Sequence, residues 1–267
     1  MASIVLAQKP TRAASLAAHE LQYHVALITG AKLPIVTDDA AVQGARILVG
    51  ESTATRAVGL KNDDFGPQEY LISLRPNLLV LMGRDQDDRQ PFDYANHQTY
   101  ADVFDAQATC YAVYDFMERF CGVRWYLPLD PDLGIVYTPT KTLTVAGPDV
   151  RRSPAVKSRL QTIGYPFPRD LCGDNLKPDA PLPPPTWAET CDWWREQFLW
   201  WRRQRLGGEP YACSHSLESY YDRFLKDHPD WFAQGYEGQP PQMCYTSRGL
   251  VAQVANDACE FFETGKN

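Results

Sequence analysis

Residues 111–128, YAVYDFMERFCGVRWYLP, constrain the fold more than any other stretch of the chain. Val113, Phe116, Met117 and Phe120 recur at helical spacing and make one apolar stripe. Gly122 follows at the point where a left-handed residue closes a helix, a conformation glycine enters without a Cβ clash. Val123, Trp125 and Leu127 then alternate with Arg124 and Tyr126, the period of a half-buried strand, and Pro128 ends it. A striped helix and a one-sided strand both need a covering surface, so the segment predicts a helix packed on a sheet.

The preceding residues extend the same pattern. A strand at 4–6 leads into a helix over 11–29, with Pro10 before it and Gly30 after it as start and stop signals. Short strands are expected at 34–37 and 46–49, and a hairpin from 70–73 into 78–82 that turns at Arg75-Pro76-Asn77. Residues 84–97 are polar and read as a loop, and a strand at 142–145 closes the domain. Thr29-Gly30-Ala31-Lys32 lacks the spacing of a phosphate loop and follows a helix instead of a strand. No GxGxxG follows the apolar run 47–49, so neither motif supports nucleotide binding.

Residues 148–154 read as a linker, and the pattern then becomes strand followed by helix, repeated. Strands are expected at 156–163, 211–215 and 242–245, and helices at 187–206, stopped by Gly207-Gly208, at 217–227 and at 250–263. Ser216 and Ser247 stand as N-caps, and a proline-rich loop fills 165–185. Serial strand–helix units suggest parallel β/α structure, but a closed (β/α)8 barrel needs eight units and about 250 residues of its own. The expected fold class is therefore α/β. A small mixed-sheet domain at 1–147 is followed at 148–267 by the first three units of a TIM-type barrel, which makes the chain a fragment. A complete small α/β domain is the competing reading.

Composition excludes some classes of partner. A net charge of −7 argues against a nucleic-acid partner, which requires a basic face. Arg202, Arg203 and Arg205 read as one helix end, where the dipole favours cations. No apolar run is long enough to span a bilayer. The seven cysteines have no CxxC pair, which argues against a zinc or dithiol motif, and most read as small buried hydrophobes. Residues 1–7 are too short and lack the basic start of a signal peptide. Six of the seven tryptophans lie beyond residue 180, which suits sugar stacking and suits core packing equally.

In order along the chain, residues 13–36, 111–128, 200–208 (WWRRQRLGG), 215–232 (HSLESYYDRFLKDHPDWF) and 242–246 (QMCYT) carry a resemblance. The chain resembles the N-terminal portion of bacterial proteins known as domain of unknown function 4838, some grouped as glycoside hydrolase family 163. Ala108 departs from the glycine that family prefers. The resemblance implies an accessory N-terminal domain beside a barrel, acting outside the cytoplasm on oligosaccharides or glycans that contain N-acetylglucosamine. An endo-β-N-acetylglucosaminidase needs no metal or organic cofactor. An α-glucuronidase-like hydrolase, a non-catalytic glycan-binding module and a non-functional truncated product are the alternatives.

Barrel enzymes place their sites at the carboxyl ends of strands. That rule selects Arg159, Gln161 and Tyr165 from the first strand or its exit, His215 from the second and Tyr245 from the third. Arg159 matches, by the resemblance, a sugar-binding arginine of hexosaminidase barrels. The planar fork of Arg205 suits sugar hydroxyls or a carboxylate, and suits helix-end capping as well. His215 reads either as a mouth residue or as a structural one. Glycoside hydrolysis usually takes two carboxylates. Asp115, Glu118, Glu218, Asp222, Asp227 and Asp230 read as helix or helix-end charges, so no catalytic residue and no metal ligand is assigned within the chain.

Overall fold

The computed structural model describes residues 2–128, 132–159, 187–210, 217, 219–235 and 242–265. Residues 1–210 and 211–267 form two compact units. In the first, strands β1 (Ala2–Leu6), β2 (Ile35–Thr37), β3 (Ala45–Val49), β4 (Tyr70–Arg75), β5 (Leu78–Gly83) and β6 (Val150–Arg152) form one sheet. Its order is β2-β1-β3-β5-β4-β6. The pairs β1–β2, β1–β3 and β3–β5 are parallel, while β4 runs antiparallel to both β5 and β6.

The two-residue period explains why the sheet is covered on both faces. Ile4 and Leu6, Val49, Ile72, and Leu79 and Leu81 point into the larger core. Val5, Leu48, Leu71, Val80 and Met82 point into a smaller one on the other face. Helices α1 (Arg12–Thr29) and α3 (Ala108–Phe120) cover the larger core, and the short α2 (Thr53–Ala57) contributes Ala54 to the smaller. Thr11 caps α1 by accepting from Ala14 N, and Gly30 ends it at φ 75°. In the β4–β5 hairpin Asn77 takes φ 56° after Pro76, the residue pattern of a type II turn.

The sheet and α1, α3 follow the sequence pattern; the connections differ from it. Gly122 adopts φ 72° as expected, but residues 123–127 form no strand. The Val123 amide closes the helix on Met117 O at 3.0 Å, and Arg124 makes only a one-residue bridge to Val136. The alternation is real all the same, because Val123 and Trp125 are buried while Arg124 and Tyr126 are exposed. Residues 142–145 also form no strand. The edge of β4 is taken by β6, which lies inside the expected linker, and Asp149 locks that edge by accepting from Ser73 Oγ and Leu74 N, both at 2.8 Å.

Further along the first unit, β7 (Ser158–Arg159), α4 (Trp187–Arg203) and β8 (Gly207–Gly208) follow, with β7 and β8 antiparallel. Gly207 and Gly208 are strand residues and not a helix stop. A Cβ on Gly207 would lie 1.9 Å from Val103 O, and one on Gly208 2.2 Å from Lys157 O. Instead α4 ends through Arg205, which adopts the left-handed conformation at φ 56° while Leu206 N bonds back to Trp201 O at 2.9 Å. Among the described residues no closed barrel is formed, and the expected strand at 211–215 lies outside them.

The second unit holds α5 (Ser219–Phe224) and α6 (Arg248–Thr264) around Tyr220, Trp231, Phe232 and Leu250. Ser247 caps α6 as expected, and the expected third strand is reduced to a bridge between Phe232 and Met243.

Gly83 sits where the start of α3 meets the sheet. A Cβ there would lie 2.5 Å from Glu69 O and 2.7 Å from the Ala108 Cβ, two rigid neighbours. Gly83→Ala should therefore cost about 1–3 kcal/mol by overpacking, read as a lower urea midpoint at unchanged m-value.

Candidate functional site

Open α/β sheets usually bind ligands outside the carboxyl ends of their strands, where the chain leaves in opposite directions. Here that place lies beyond β1 and β3, since the chain passes from β1 to β2 on one side and then to β3 on the other. Asp85, two residues after β5, is buried at this end of the sheet between the starts of α1 and α3. Asp85 Oδ1 accepts from Thr109 N at the start of α3 (2.9 Å), and Oδ2 accepts from the α1 cap Thr11 Oγ1 (3.4 Å). Asn62 holds the Asp85 backbone in both directions, at 2.8 and 3.0 Å. Two helix N-termini, each attractive to an anion, thus share one internal carboxyl group. Burial pushes that carboxyl up to about 7, against the lowering effect of the bonds from Thr109 and Thr11.

A second polar network is buried between α1 and α4. Glu20 is fully buried and accepts from Arg203 Nε (2.7 Å), Arg203 Nη2 (3.1 Å) and Tyr94 OH (2.5 Å). Burial by itself would raise the Glu20 carboxyl. The Arg203 charge and the bonds from Arg203 and Tyr94 outweigh it and hold the group at about 2. One turn on, His24 Nε2 accepts from Trp125 Nε1 at 2.9 Å, so His24 Nδ1 carries the proton and donates to Glu20 O at 2.7 Å. Burial lowers His24 to about 4, which keeps this imidazole neutral.

Arg202 and Arg203 stand in the last turn of α4, the helix end expected from sequence, but they are buried, at 2% and 3% exposed. Glu20 is not among the residues the sequence pattern singles out. Arg202 donates to Phe198 O and Ala101 O and lies over the Tyr100 ring. The available signal was the position of Glu20 and His24 within the stripe Leu16, Ala17, Leu21, Val25, Ile28, where a charged and a titratable residue share an apolar face.

The structure brings two of the predicted site residues together. Arg159 Nε donates to Arg205 O at 2.7 Å. Its other nitrogens reach Gln68 Oε1 (2.7 Å), Val156 O (2.6 Å) and Tyr111 OH (3.2 Å), so the guanidinium ties β7, α3 and the end of α4 together. Arg205 Nη2 pairs with Glu118 Oε2 at 2.6 Å. Tyr245 belongs to the second unit and is 67% exposed. Tyr165, Gln161 and His215 lie outside the described residues. Of the described cysteines only Cys110 is buried, and Cys259 is exposed, against the expectation for the group. Among the described residues no group of three metal-ligating side chains converges, and no helix is long and apolar enough to cross a membrane.

Removing one partner of a buried pair strands the other charge. Glu20→Ala should cost about 3–5 kcal/mol by urea unfolding at neutral pH, and the double change Glu20→Leu with Arg203→Met should recover most of that loss. Because Glu20 is held below its ordinary value, the pair's contribution is full above about pH 4.5 and is lost as pH falls through 2. Asp85 has the opposite sign. Its raised value leaves stability untouched below the ordinary carboxyl value of 3.8 and lowers it as pH rises through 7. Asp85→Asn should match the parent protein at pH 3 and exceed it by about 4 kcal/mol at pH 8.

No family model matches this sequence, and no curated protein matches it. Among solved structures, the chain is similar to a mutant β-hexosaminidase of Streptomyces plicatus in complex with its product GlcNAc. The identity is 13% and the TM-score 0.32, over 59% of this chain and 23% of that one. The chain thus spans about a quarter of that enzyme's length.

Proposed function

We propose that this chain is the N-terminal portion of a glycoside hydrolase acting on glycans that contain N-acetylglucosamine, outside the cytoplasm. On this reading the accessory domain holds the six-stranded sheet, whose last strand β6 reaches Arg152, and the barrel begins after it. The glycan assignment is supported by the ordered sequence resemblance along the chain. The accessory role is supported by one observation about the carboxylates.

The buried carboxylates among the described residues are Glu20, Asp85 and Asp115, and each is committed within the fold. Glu20 holds Arg203, and Asp85 holds the starts of α1 and α3. Asp115 accepts twice from Arg119 Nε at 2.8 Å. A general acid or nucleophile must face substrate with its lone pairs or proton available. None of the three is placed to do so, which supports a reading in which the acid and its partner come from other parts of the parent protein.

The test is an assay of the parent protein on N-glycans carrying a core N-acetylglucosamine. Release of the oligosaccharide is expected. Individual Ala variants of Asp115, Glu118, Asp222, Asp227 and Asp230 should keep turnover within a few-fold, whereas loss by orders of magnitude would place a catalytic carboxylate in this chain. Glycan binding without turnover would establish a binding module in place of an enzyme, and neither binding nor turnover would refute the glycan reading.

A further inference from the structure

Asp85 is buried at the carboxyl edge of the sheet, but the opposite edge is open. A groove of about 890 Å3 runs along the amino ends of β1, β3 and β5, and residues 141–147 form one wall. That volume is within the ~300–1,000 Å3 typical of small-molecule sites. The floor is apolar and comes from three layers: Leu21 and Val25 of α1, Ile47 and Leu79 of the sheet, and Phe116 of α3. Arg46, Arg75 and Lys141 line the same groove and are exposed. Among the described residues no Asp or Glu lines it, although the chain carries 33 acidic residues against 26 basic ones. The three cations form no ion pair among the described residues. The neighbouring carboxylate, Asp149, is bound to Ser73 and Leu74 N.

An apolar floor with a cationic rim selects a ligand of complementary build. We propose that this groove binds a single-chain amphipathic anion, an aliphatic carboxylate whose chain lies on the floor and whose head meets Arg46, Arg75 and Lys141. A cationic head would be repelled at the rim, and a neutral head would leave the three charges unanswered. The site is separate from the glycan reading and stands or falls without it.

The experiment is calorimetric titration of the 267-residue chain with decanoate, decylammonium and decyl glucoside, all below their micellar concentrations. Saturable one-to-one binding of decanoate is expected, at least tenfold tighter than either of the others and weakened by salt. Arg46→Gln, Arg75→Gln and Lys141→Gln combined should weaken decanoate binding tenfold or more. Ala31→Trp, at an exposed lining position, should block the groove while leaving the urea midpoint of the chain unchanged. Absence of saturable decanoate binding would overturn the proposal, as would equal affinity for the three head groups or an unchanged affinity in the triple variant.

Discussion

Glu20 and Arg203 stand 183 positions apart in the chain and meet where water does not reach. Two charges taken out of water cost several kcal/mol each, and their attraction repays this only when the geometry is good and the remaining lone pairs are used. Here both conditions hold, since Arg203 bonds to both carboxylate oxygens and Tyr94 supplies a further donor. The pair therefore permits little freedom in where α4 lies against α1. Once α4 is seated, Leu199 enters the main core and Arg202 reaches Ala101 O. Arg205 emerges at the end of the helix in a left-handed conformation, with its side chain on Glu118 and its carbonyl on Arg159. A non-glycine residue there carries a steric cost of about 1–2 kcal/mol. The ion pair and the bond from Arg159 offset it.

The two edges of the sheet differ for an electrostatic reason. At the carboxyl edge α1 and α3 both present their N-termini, and any fold that converges such dipoles must supply an anion or leave a site for one. This chain supplies Asp85, which accepts from Thr109 N and Thr11 Oγ1. At the amino edge an apolar groove carries Arg46, Arg75 and Lys141, which form no ion pair among the described residues.

Much of the first unit was legible because its signals are local. The apolar runs Ile4-Val5-Leu6 and 78–82 specified strands, and Gly30, like Ser247 in the second unit, marked a helix end through a bond made within four residues. The strand expected after Gly122 failed for a related reason. Side-chain period reports which way residues face, not which backbone accepts their hydrogen bonds. The Val123 amide was already committed to Met117 O. Gly207 and Gly208 read as a helix stop, but they are needed because Val103 O and Lys157 O approach their Cα atoms, which no local pattern reveals.

The sequence by itself determined strands β1 to β5 and helices α1, α3, α4 and α6 to within a few residues, since periods of 2.0 and 3.6 and end signals mark such elements locally. It also placed Arg159 and Arg205 among the residues of interest. Only the tertiary structure decided that Arg159 is a tie between elements, that Arg202 and Arg203 are buried, that Glu20 is the counter-charge of Arg203, and that Asp85 is a buried acceptor for the starts of α1 and α3. The reason is physical. A charged side chain's role depends on whether an opposite charge and a donor set meet it in a dry place, and those partners come from residues far away in the chain.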